Sequence, residues 1–528
     1  MEGIMNFIIP ITVILTTGLF TLFAGNGKAG ASVRAGIVGL ILSSAYIYFL
    51  MPALTPVGII QSLAVASAAG GSFGWIVSKP SFISGVGVAA GILVFAFTVL
   101  MFILAPALSA QTLYSLPNVS THQESNISLV SSDHIREVSE ETAVWRADKV
   151  VGDLGYKVGI GNMNIQSVSG SLVWLAPLDY NGFWKSWSYR DQGTGGYVIV
   201  QAEEAKAPAV LVDNISLRYT DNAFLWYNLQ RDIYTDYPGY YIGEHTFQLD
   251  DKGNPAWVTM ISNPAVFGVY GEVPKGVVIT SPLDGKNTFY AMNEVPSWVE
   301  RVMDEQITEK YLQYWGEYKH GFWNTIFGQE DYLVPTGGLQ TEVGSESGSV
   351  TISQSDIPDV YLVRGTDGRL YWFGSFTTVG KDSSMVGYML TDLRTGGFNF
   401  YPTPSIYNDI GAAKNVQQNP EVAKVMGATV TQPIMYMING EEVWIMPVIT
   451  QSGENIMMGV VRARTGETFV SPDLKTALAE LTGNVPESVN LPGNGSATSL
   501  DGIINNLTVT LNELRQYRAA HLDLGNVG

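Results

Sequence analysis

The sequence predicts two parts of different fold class: an α-helical membrane anchor of about four spans, and an α+β ectodomain of repeated helix and antiparallel-sheet units. Two observations lead to this division. Residues 1–110 are long apolar stretches whose only charged residues are Glu2, Lys28, Arg34 and Lys79. The rest of the chain is acidic and repeats one short pattern of glycine and tryptophan four times.

The membrane anchor is predicted from the length of the apolar stretches. A helix needs about 20 apolar residues to cross the roughly 30 Å hydrocarbon core of a bilayer. Four stretches reach that length: Met5–Phe23, Ala35–Leu54, Val57–Val77 and Phe82–Leu108. The basic residues lie in the loops after the first and third stretches, and cytoplasmic loops are enriched in Lys and Arg. The sequence therefore predicts a multi-pass protein of the cell membrane with a large extracytoplasmic domain.

The repeated pattern is a Gly followed four residues later by a Trp, on an apolar strand that a second apolar strand follows. A period of tens of residues marks a repeated supersecondary unit. A Trp on such a strand can bury a large ring under a helix. We therefore interpret these residues as structural repeat positions. The four copies are Gly170 and Trp174, Gly253 and Trp257, Gly368 and Trp372, and Gly440 and Trp444.

Each copy is predicted to be a helix followed by strands. The helices are predicted near Val138–Asp153, Asp221–Tyr234, Ser297–Lys319 and Glu421–Met426, with Asp409 as an alternative start of the fourth. A Ser/Asn-rich stretch precedes the first helix, and a stretch rich in Pro and Gly follows the last copy. The predicted division is a four-span region at 1–110, a linker at 111–135, repeats at 136–215, 216–295, 296–405 and 406–484, and a linker with a C-terminal helix at 485–528.

The composition excludes several classes of function. The formal net charge is −19, and such an acidic chain disfavours nucleic acid as a partner. The sequence has no Cys, which excludes a disulfide framework, thiol catalysis and Cys-zinc sites. Five Asn-x-Ser/Thr sequons are possible glycosylation sites on the predicted outer side. They are Asn118, Asn126, Asn214, Asn494 and Asn506.

No reaction can be recognised in the sequence. The five His form no close pair of the kind that binds a metal. Gly70–Gly74 matches a nucleophile-elbow pattern, but it lies in an apolar stretch without the strand that such a turn needs. Carboxylates are plentiful, yet spacing alone does not make an acid–base pair. We therefore predict no catalytic, cofactor-binding or metal-binding residue and no cofactor.

The repeated unit resembles the PepSY-like family, whose strands read Gly-x-x-x-Trp-x-Val and Gly-Tyr-x-x-x-Asp-x-x-Thr-Gly. The match is best from Gly368 to Phe400, with Gly387-Tyr388, Asp392 and Thr395-Gly396 in place. The fourth copy has Arg462 where the Asp falls, and the second lacks the Thr-Gly pair. The resemblance covers about residues 136–470. It implies binding or inhibitory modules at the cell envelope, with no catalytic residue to carry over.

Three hypotheses of function follow from these observations. The first is a non-enzymatic, membrane-anchored scaffold or regulator of the cell envelope, whose repeats bind a protein partner or a second copy of the chain. The second is a hydrolase of envelope polymers, which requires carboxylates with perturbed pKa values in one cleft. The third is a membrane assembly or pore component with the ectodomain as an external cap.

Overall fold

The computed structural model describes residues 29–78, 82–123, 130–155, 157–343, 350–378 and 384–483. The chain divides into two compact units, residues 1–478 and 479–528. All of the sheets and the cavities described below belong to the first unit. The predicted C-terminal helix and the sequons at Asn126, Asn494 and Asn506 lie outside the described residues.

Three apolar helices begin the described chain: α1 (Ala29–Leu50), α2 (Pro56–Ser78) and α3 (Phe82–Ser115). Within the described residues, only Val88–Ser115 of α3 is long and apolar enough to cross a membrane. The apolar stretches of α1 and α2 run only from Gly36 to Leu50 and from Pro56 to Ala69. The predicted fold class, with its four-span anchor, is therefore wrong.

The reason for this correction lies in the helix ends and in the length of the apolar stretches of α1 and α2. Met51, at a φ of 43°, and the following Pro52 end α1, because neither continues a helix. Within the described residues the apolar stretches of α1 and α2 are shorter than the roughly 20 residues that a span needs. The first predicted span, Met5–Phe23, lies outside the described residues.

The remaining helices are short and amphipathic, and they alternate with sheets. A polar side chain caps several of them, and three helices begin later than predicted, directly after the capping residues Ser139, Asn228 and Asp304. Asp304 caps the helix predicted at Ser297–Lys319, so that it begins at Glu305. The helices are α4 (Glu140–Val151), α5 (Phe183–Tyr189), α6 (Leu229–Asp236), α7 (Glu305–Glu317), α8 (Asp409–Gln417), α9 (Pro420–Ala423) and α10 (Leu474–Thr482).

The strands form five sheets, and most of the described chain after α3 belongs to this β-rich region. We call the four larger sheets with their preceding helices modules 1 to 4. The strand β1 (Ser120–Thr121), from the predicted linker, pairs in parallel with module 3. Module 1 has β2 (Val158–Ile160), β3 (Asn164–Val168), β4 (Ser171–Tyr180), β5 (Tyr197–Gln201) and β6 (Val210–Val212). Module 2 has β7 (Tyr241–Leu249), β8 (Pro255–Val266), β9 (Tyr270–Thr280) and β10 (Asn287–Ala291).

Module 3 also carries a separate two-stranded sheet, formed by its second and third strands. Its strands are β11 (Val334–Pro335), β12 (Gly337–Val343), β13 (Val350–Pro358), β14 (Tyr361–Arg364), β15 (Leu370–Thr377), β16 (Ser384–Asp392) and β17 (Phe398–Tyr407). Module 4 has β18 (Thr429–Val430), β19 (Ile434–Ile438), β20 (Glu441–Ile449), β21 (Asn455–Arg462) and β22 (Thr468–Ser471).

Modules 1, 3 and 4 share one sheet topology. In each, two short strands pair with the same long strand, β4, β15 or β20, and further antiparallel strands follow in order. In module 2 a single strand, β7, pairs along β8, with a register shift between Ile242 and His245. The four sheets therefore differ mainly in whether the first edge strand is continuous.

The repeat tryptophans hold each sheet to the segment before its helix. All four rings are buried, and every indole N–H donates a hydrogen bond to a backbone carbonyl. In modules 1, 3 and 4 that carbonyl belongs to the residue just before the helix N-cap. The pairs are Trp174 to Val138 at 2.9 Å, Trp257 to Tyr219 at 2.9 Å, Trp372 to Met303 at 3.1 Å and Trp444 to Tyr407 at 2.8 Å.

The repeat glycines lie in the hairpin turns before these strands. All four have positive φ, between 79° and 90°, which side chains rarely adopt. A Cβ at any of them would meet no atom within 4 Å. Backbone conformation, and not space, therefore requires glycine there. The residues are Gly170, Gly253, Gly368 and Gly440.

The segments that precede the helices carry two sequence patterns, one in modules 1 and 3 and the other in modules 2 and 4. Modules 1 and 3 share the pattern Arg-x-Val/Met-Ser/Asp-Glu, at Arg136–Glu140 and Arg301–Glu305. Modules 2 and 4 instead share Tyr-Thr/Asn-Asp, at Tyr219–Asp221 and Tyr407–Asp409. The hydrophobic cluster that contains Trp174 and Trp372 unites modules 1 and 3. This pairing brings the two arginine patterns together.

Candidate functional site

The two arginine patterns face each other across a cavity of about 210 Å³, which we call the cleft. Module 1 contributes Arg136, Glu140 and Trp174, and module 3 contributes Arg301, Glu305 and Trp372. Each guanidinium lies over the repeat tryptophan of its own module, with centroid distances of 5.5 Å for Arg136 and 4.7 Å for Arg301. Such stacking fixes the plane of a guanidinium.

Arg301 is neutralised by its surroundings. Its Nη2 contacts Glu244 Oε2 and Glu305 Oε2, each at 2.9 Å. Its Nη1 donates to Asn164 Oδ1 at 3.0 Å. The side chain is only 9% exposed, so these partners compensate most of the cost of burying its charge.

Arg136 occupies the matching position in module 1 without matching partners. It is 7% exposed, and its guanidinium makes no hydrogen bond or ion pair within the described residues. The β14 residue that corresponds in register to Asn164 is Tyr361, whose hydroxyl also lacks a partner among the described residues. Burial lowers the pKa of Arg136 from its usual value. The cleft therefore contains a buried cation whose donors are available to a ligand.

Three carboxylates meet at the module 3 side of the cleft. Glu305, Glu309 and Asp359 each have one oxygen within 4.8 Å of the others. Burial raises the pKa of Glu305 to about 7 and, with the neighbouring charges of Glu305 and Asp359, the pKa of Glu309 to about 8. Burial also raises the pKa of Asp359 to about 6. The three carboxylates therefore repel one another when they are ionised, and they take up protons near neutral pH.

A second, larger cavity of about 560 Å³ lies between modules 1, 2 and 3. Its wall holds Asp179, Asp221 and His245. Burial raises the pKa of Asp221 to about 7, and burial lowers the pKa of His245 to about 4. His245 Nε2 is 3.9 Å from Asp221 Oδ1 and 2.7 Å from Gln230 Oε1. This cavity holds a protonatable carboxyl group beside a neutral imidazole.

The structure separates the predicted repeat residues into two roles. Trp174 and Trp372 line the cleft, whereas Trp257 and Trp444 are buried in modules 2 and 4. The repeat glycines lie in turns and not in the cleft. Of the possible glycosylation sites, Asn118 and Asn214 are exposed. A metal site was not predicted, yet one carboxylate group in the described residues has the spacing to hold an ion.

The cleft residues were missed because they are far apart in the sequence. Arg136 and Arg301 are 165 residues apart, with the helices and strands of modules 1 and 2 between them, and Asp359 lies 50 residues after Glu309. The one local signal was the duplicated Arg-x-Val/Met-Ser/Asp-Glu pattern. Aligning the repeats on the segment before each helix, as well as on the tryptophans, would have revealed it.

Comparison with known proteins adds no relative: no family model matches the chain, and neither a curated protein nor a solved structure is similar to it.

The crowded carboxylates predict how stability depends on pH. Because Glu305, Glu309 and Asp359 have raised pKa values, the folded state holds protons that the unfolded chain loses between about pH 4 and pH 8. Their contribution to the free energy of unfolding therefore grows as the pH falls through that window. His245 opposes this trend only below its unfolded pKa of about 6.5.

The thermal midpoint of the purified protein in detergent should consequently be higher at about pH 6.5 than at about pH 8.5. Glu309→Gln removes the most crowded carboxylate and should reduce the difference. Asp367→Asn, at an exposed turn, serves as the control. A midpoint that rises toward alkaline pH, or a difference that Glu309→Gln leaves unchanged, contradicts this account of the cleft.

Proposed function

We propose that this chain is a membrane-anchored, non-enzymatic binding protein of the cell envelope, whose cleft recognises an acidic group of a protein partner. The single observation that carries the proposal is Arg136, a buried guanidinium that makes no hydrogen bond or ion pair within the described residues. Burying an unpaired charge costs several kcal/mol. Arg301, in the matching position, has three partners, so the fold can neutralise an arginine there. A partner carboxylate would complete the same arrangement around Arg136.

Membrane anchoring is supported by the surface of α3. Only 17% of the most apolar 18-residue segment of α3 is buried, whereas a core helix of a soluble protein is mostly buried. Where α3 approaches the modules it contacts the short helical turn Phe322–Thr325. Trp323 in this turn and Phe327 just after it are exposed, and aromatic residues are enriched where a membrane meets water. We infer that α3 spans the bilayer and that the modules lie close to its outer surface.

The PepSY-like resemblance stays part of this proposal. It implies binding or inhibitory modules, and modules of that kind agree with a cleft built for recognition. The acidic surface of the chain also agrees with an extracytoplasmic position.

The experiment is cross-linking and capture of the tagged, full-length protein from native membranes. Arg136→Gln keeps the size of the side chain and removes its charge. It should reduce recovery of the captured partner about tenfold or more, since a charge-assisted hydrogen bond contributes about 1.5–3 kcal/mol. Arg190→Gln, at the surface of module 1, is the matched control and should not change recovery.

A second measurement separates recognition from folding. Because Arg136→Gln removes an unpaired buried charge, the thermal midpoint of this variant should equal or exceed that of the unaltered protein. Equal recovery of partner by both proteins would contradict the proposal. So would a large fall in the midpoint, because it would assign Arg136 a structural role. A second copy of the chain as the captured partner would identify the protein as a homo-oligomer.

A hydrolase is the second candidate, and the larger cavity favours it. Asp221, with a pKa raised by burial to about 7, can donate a proton near neutral pH. Asp179 lies in the same cavity and accepts a hydrogen bond from Thr220. Purified protein that cleaves a glycan or peptide of the envelope, and loses that activity in Asp221→Asn, would establish this function in place of the first.

A further inference from the structure

We propose that an exposed aromatic patch on modules 1 and 2 binds the headgroup region of an anionic lipid bilayer. The patch surrounds the buried ring of Phe224, and its exposed members come from α5 and from the turn before α6. They are Phe183, Trp184, Trp187 and Trp226. This inference rests on the membrane anchoring proposed above and extends the lipid contact from α3 to the modules.

Ring contacts join the patch into one surface. Three of the exposed rings pack edge-to-face on the Phe224 ring. The centroid distances are 4.8 Å for Phe183, 4.4 Å for Trp187 and 6.3 Å for Trp226. Trp184 packs on Phe183 at 5.1 Å and is still 76% exposed, and none of the four exposed rings lines the cleft or the larger cavity. A contiguous exposed apolar surface of this kind usually marks a site of interaction.

The helix that carries most of the patch is basic, although the chain has a formal net charge of −19. Together with its C-terminal cap, α5 contains Lys185 and Arg190 and no acidic residue. The Arg190 guanidinium lies over the Trp187 ring at 4.6 Å, and Lys157 lies over the ring of the last residue of α5 at 4.2 Å. The acidic residue that follows, Asp191, is 3.9 Å from Arg190. Three cations against one carboxylate, next to aromatic rings, suit an anionic headgroup layer.

The patch borders the surface through which module 2 contacts the apolar helices. Arg231 of α6 donates a hydrogen bond to Tyr48 O and stacks over the Tyr48 ring at 4.4 Å. Tyr234 of the same helix donates to Pro52 O at 2.8 Å. Trp226 precedes Arg231 by five residues, and a chain of that length spans at most about 18 Å. The patch therefore lies close to the end of α1.

Module 2 also contacts the helix for which we infer a membrane span. At the start of β9, Tyr270 packs edge-to-face on Phe102 at a centroid distance of 5.2 Å, and Phe102 lies within the apolar segment Val88–Ser115 of α3. With α3 in the bilayer, module 2 lies at the bilayer surface. Aromatic rings can also bind glycans or proteins, but the basic residues and the position beside the apolar helices favour lipid headgroups.

The test uses the full-length protein with one fluorescent reporter in the patch. Because the sequence has no Cys, Ser188→Cys gives a single labelling site at an exposed position of α5. The labelled protein is placed in nanodiscs of phosphatidylcholine with or without phosphatidylglycerol, each containing a lipid with a nitroxide quencher on its headgroup. Quenching should be about twofold or more stronger in the anionic discs, since Lys185 and Arg190 are attracted to them. Lys185→Gln and Trp184→Ala should each weaken the quenching in anionic discs about twofold.

Two further reporters make the result specific. Ser452→Cys replaces an exposed serine in the turn between β20 and β21 of module 4. It is the matched control and should not be quenched. Phe327→Cys lies at the surface that already supports membrane anchoring, and it should be quenched in both kinds of disc.

The outcomes separate this inference from the proposed function. Quenching at Phe327 without quenching at Ser188, or equal quenching at Ser188 in neutral and anionic discs, would overturn the patch and leave membrane anchoring in place. Cross-linking of the Ser188 reporter to a protein in native membranes, in place of quenching, would assign the patch to a protein partner and also overturn the inference. Absence of quenching at all three positions would contradict membrane anchoring itself.

Discussion

Truncation of Trp444 to alanine is expected to lower the free energy of unfolding by about 3–5 kcal/mol, the usual cost of removing a large buried aromatic ring. Trp444 is fully buried, and its ring packs edge-to-face on Phe373 of module 3 at a centroid distance of 6.1 Å. The change also leaves the Tyr407 carbonyl without its indole donor. The loss should therefore weaken module 4 and its contact with module 3 together.

Chemical denaturation of the full-length protein in detergent measures this loss. Trp226→Ala is the matched control, because this ring is 62% exposed and its truncation should change stability by less than about 0.5 kcal/mol. Trp444→Phe keeps most of the buried area and should fall between the two. An equal effect of Trp444→Ala and Trp226→Ala would contradict the role assigned to the repeat tryptophans.

Arg301→Ala is expected to destabilise the protein by about 3 kcal/mol at pH 8, because it leaves Glu244 and Glu305 without their shared cation. The two carboxylates are about one-third exposed, which places the effect at the low end for breaking a buried pair. The cost should become smaller as the pH falls, because an unpaired Glu305 can then bind a proton.

Two comparisons make the Arg301 result specific. Lys424→Ala breaks an exposed pair with Glu421 and should cost less than about 1 kcal/mol. Arg301→Ala combined with Glu305→Gln should cost less than the two separate effects added together, since one substitution removes the group that the other strands. Additive effects would show that the pair is not coupled, contrary to the geometry of the cleft.

The turns and buried rings of the modules were accessible to sequence reasoning because they depend on short-range chemistry. A Gly at positive φ and a Trp four residues later occupy one hairpin, so their spacing is visible in the sequence. The start of α7 was not accessible to the same degree. Apolar periodicity extends to Ser297, and only the hydrogen bond from the Ile307 N–H to Asp304 shows where the helix begins.

The membrane part shows a different limit of sequence reasoning. Counting apolar residues along the sequence takes no account of where each helix ends. The count therefore gave four spans, whereas within the described residues only α3 has an apolar stretch of the length that a span needs. Met51, at positive φ, and Pro52 end α1 at Leu50, before the predicted boundary at Leu54.

The cleft could not be predicted because tertiary packing alone brings its residues together. Glu305 and Glu309 share a helix face, but Asp359 reaches them only through the folding of module 3, and Arg136 only through the packing of module 1 on module 3. The perturbed pKa values follow from that burial and have no local sequence signal. Sequence reasoning about repeats therefore missed the site between modules 1 and 3.

The most direct test of recognition at the cleft is site-specific photo-cross-linking in intact membranes. A photoreactive amino acid at Glu141, an exposed residue that lines the cleft, should form a discrete adduct with a partner protein. The same probe at Met426, exposed on module 4, should give no such adduct. The account predicts that Arg136→Gln abolishes the adduct at Glu141. An adduct of unchanged yield in Arg136→Gln, or none at Glu141 alongside one at Met426, would contradict it.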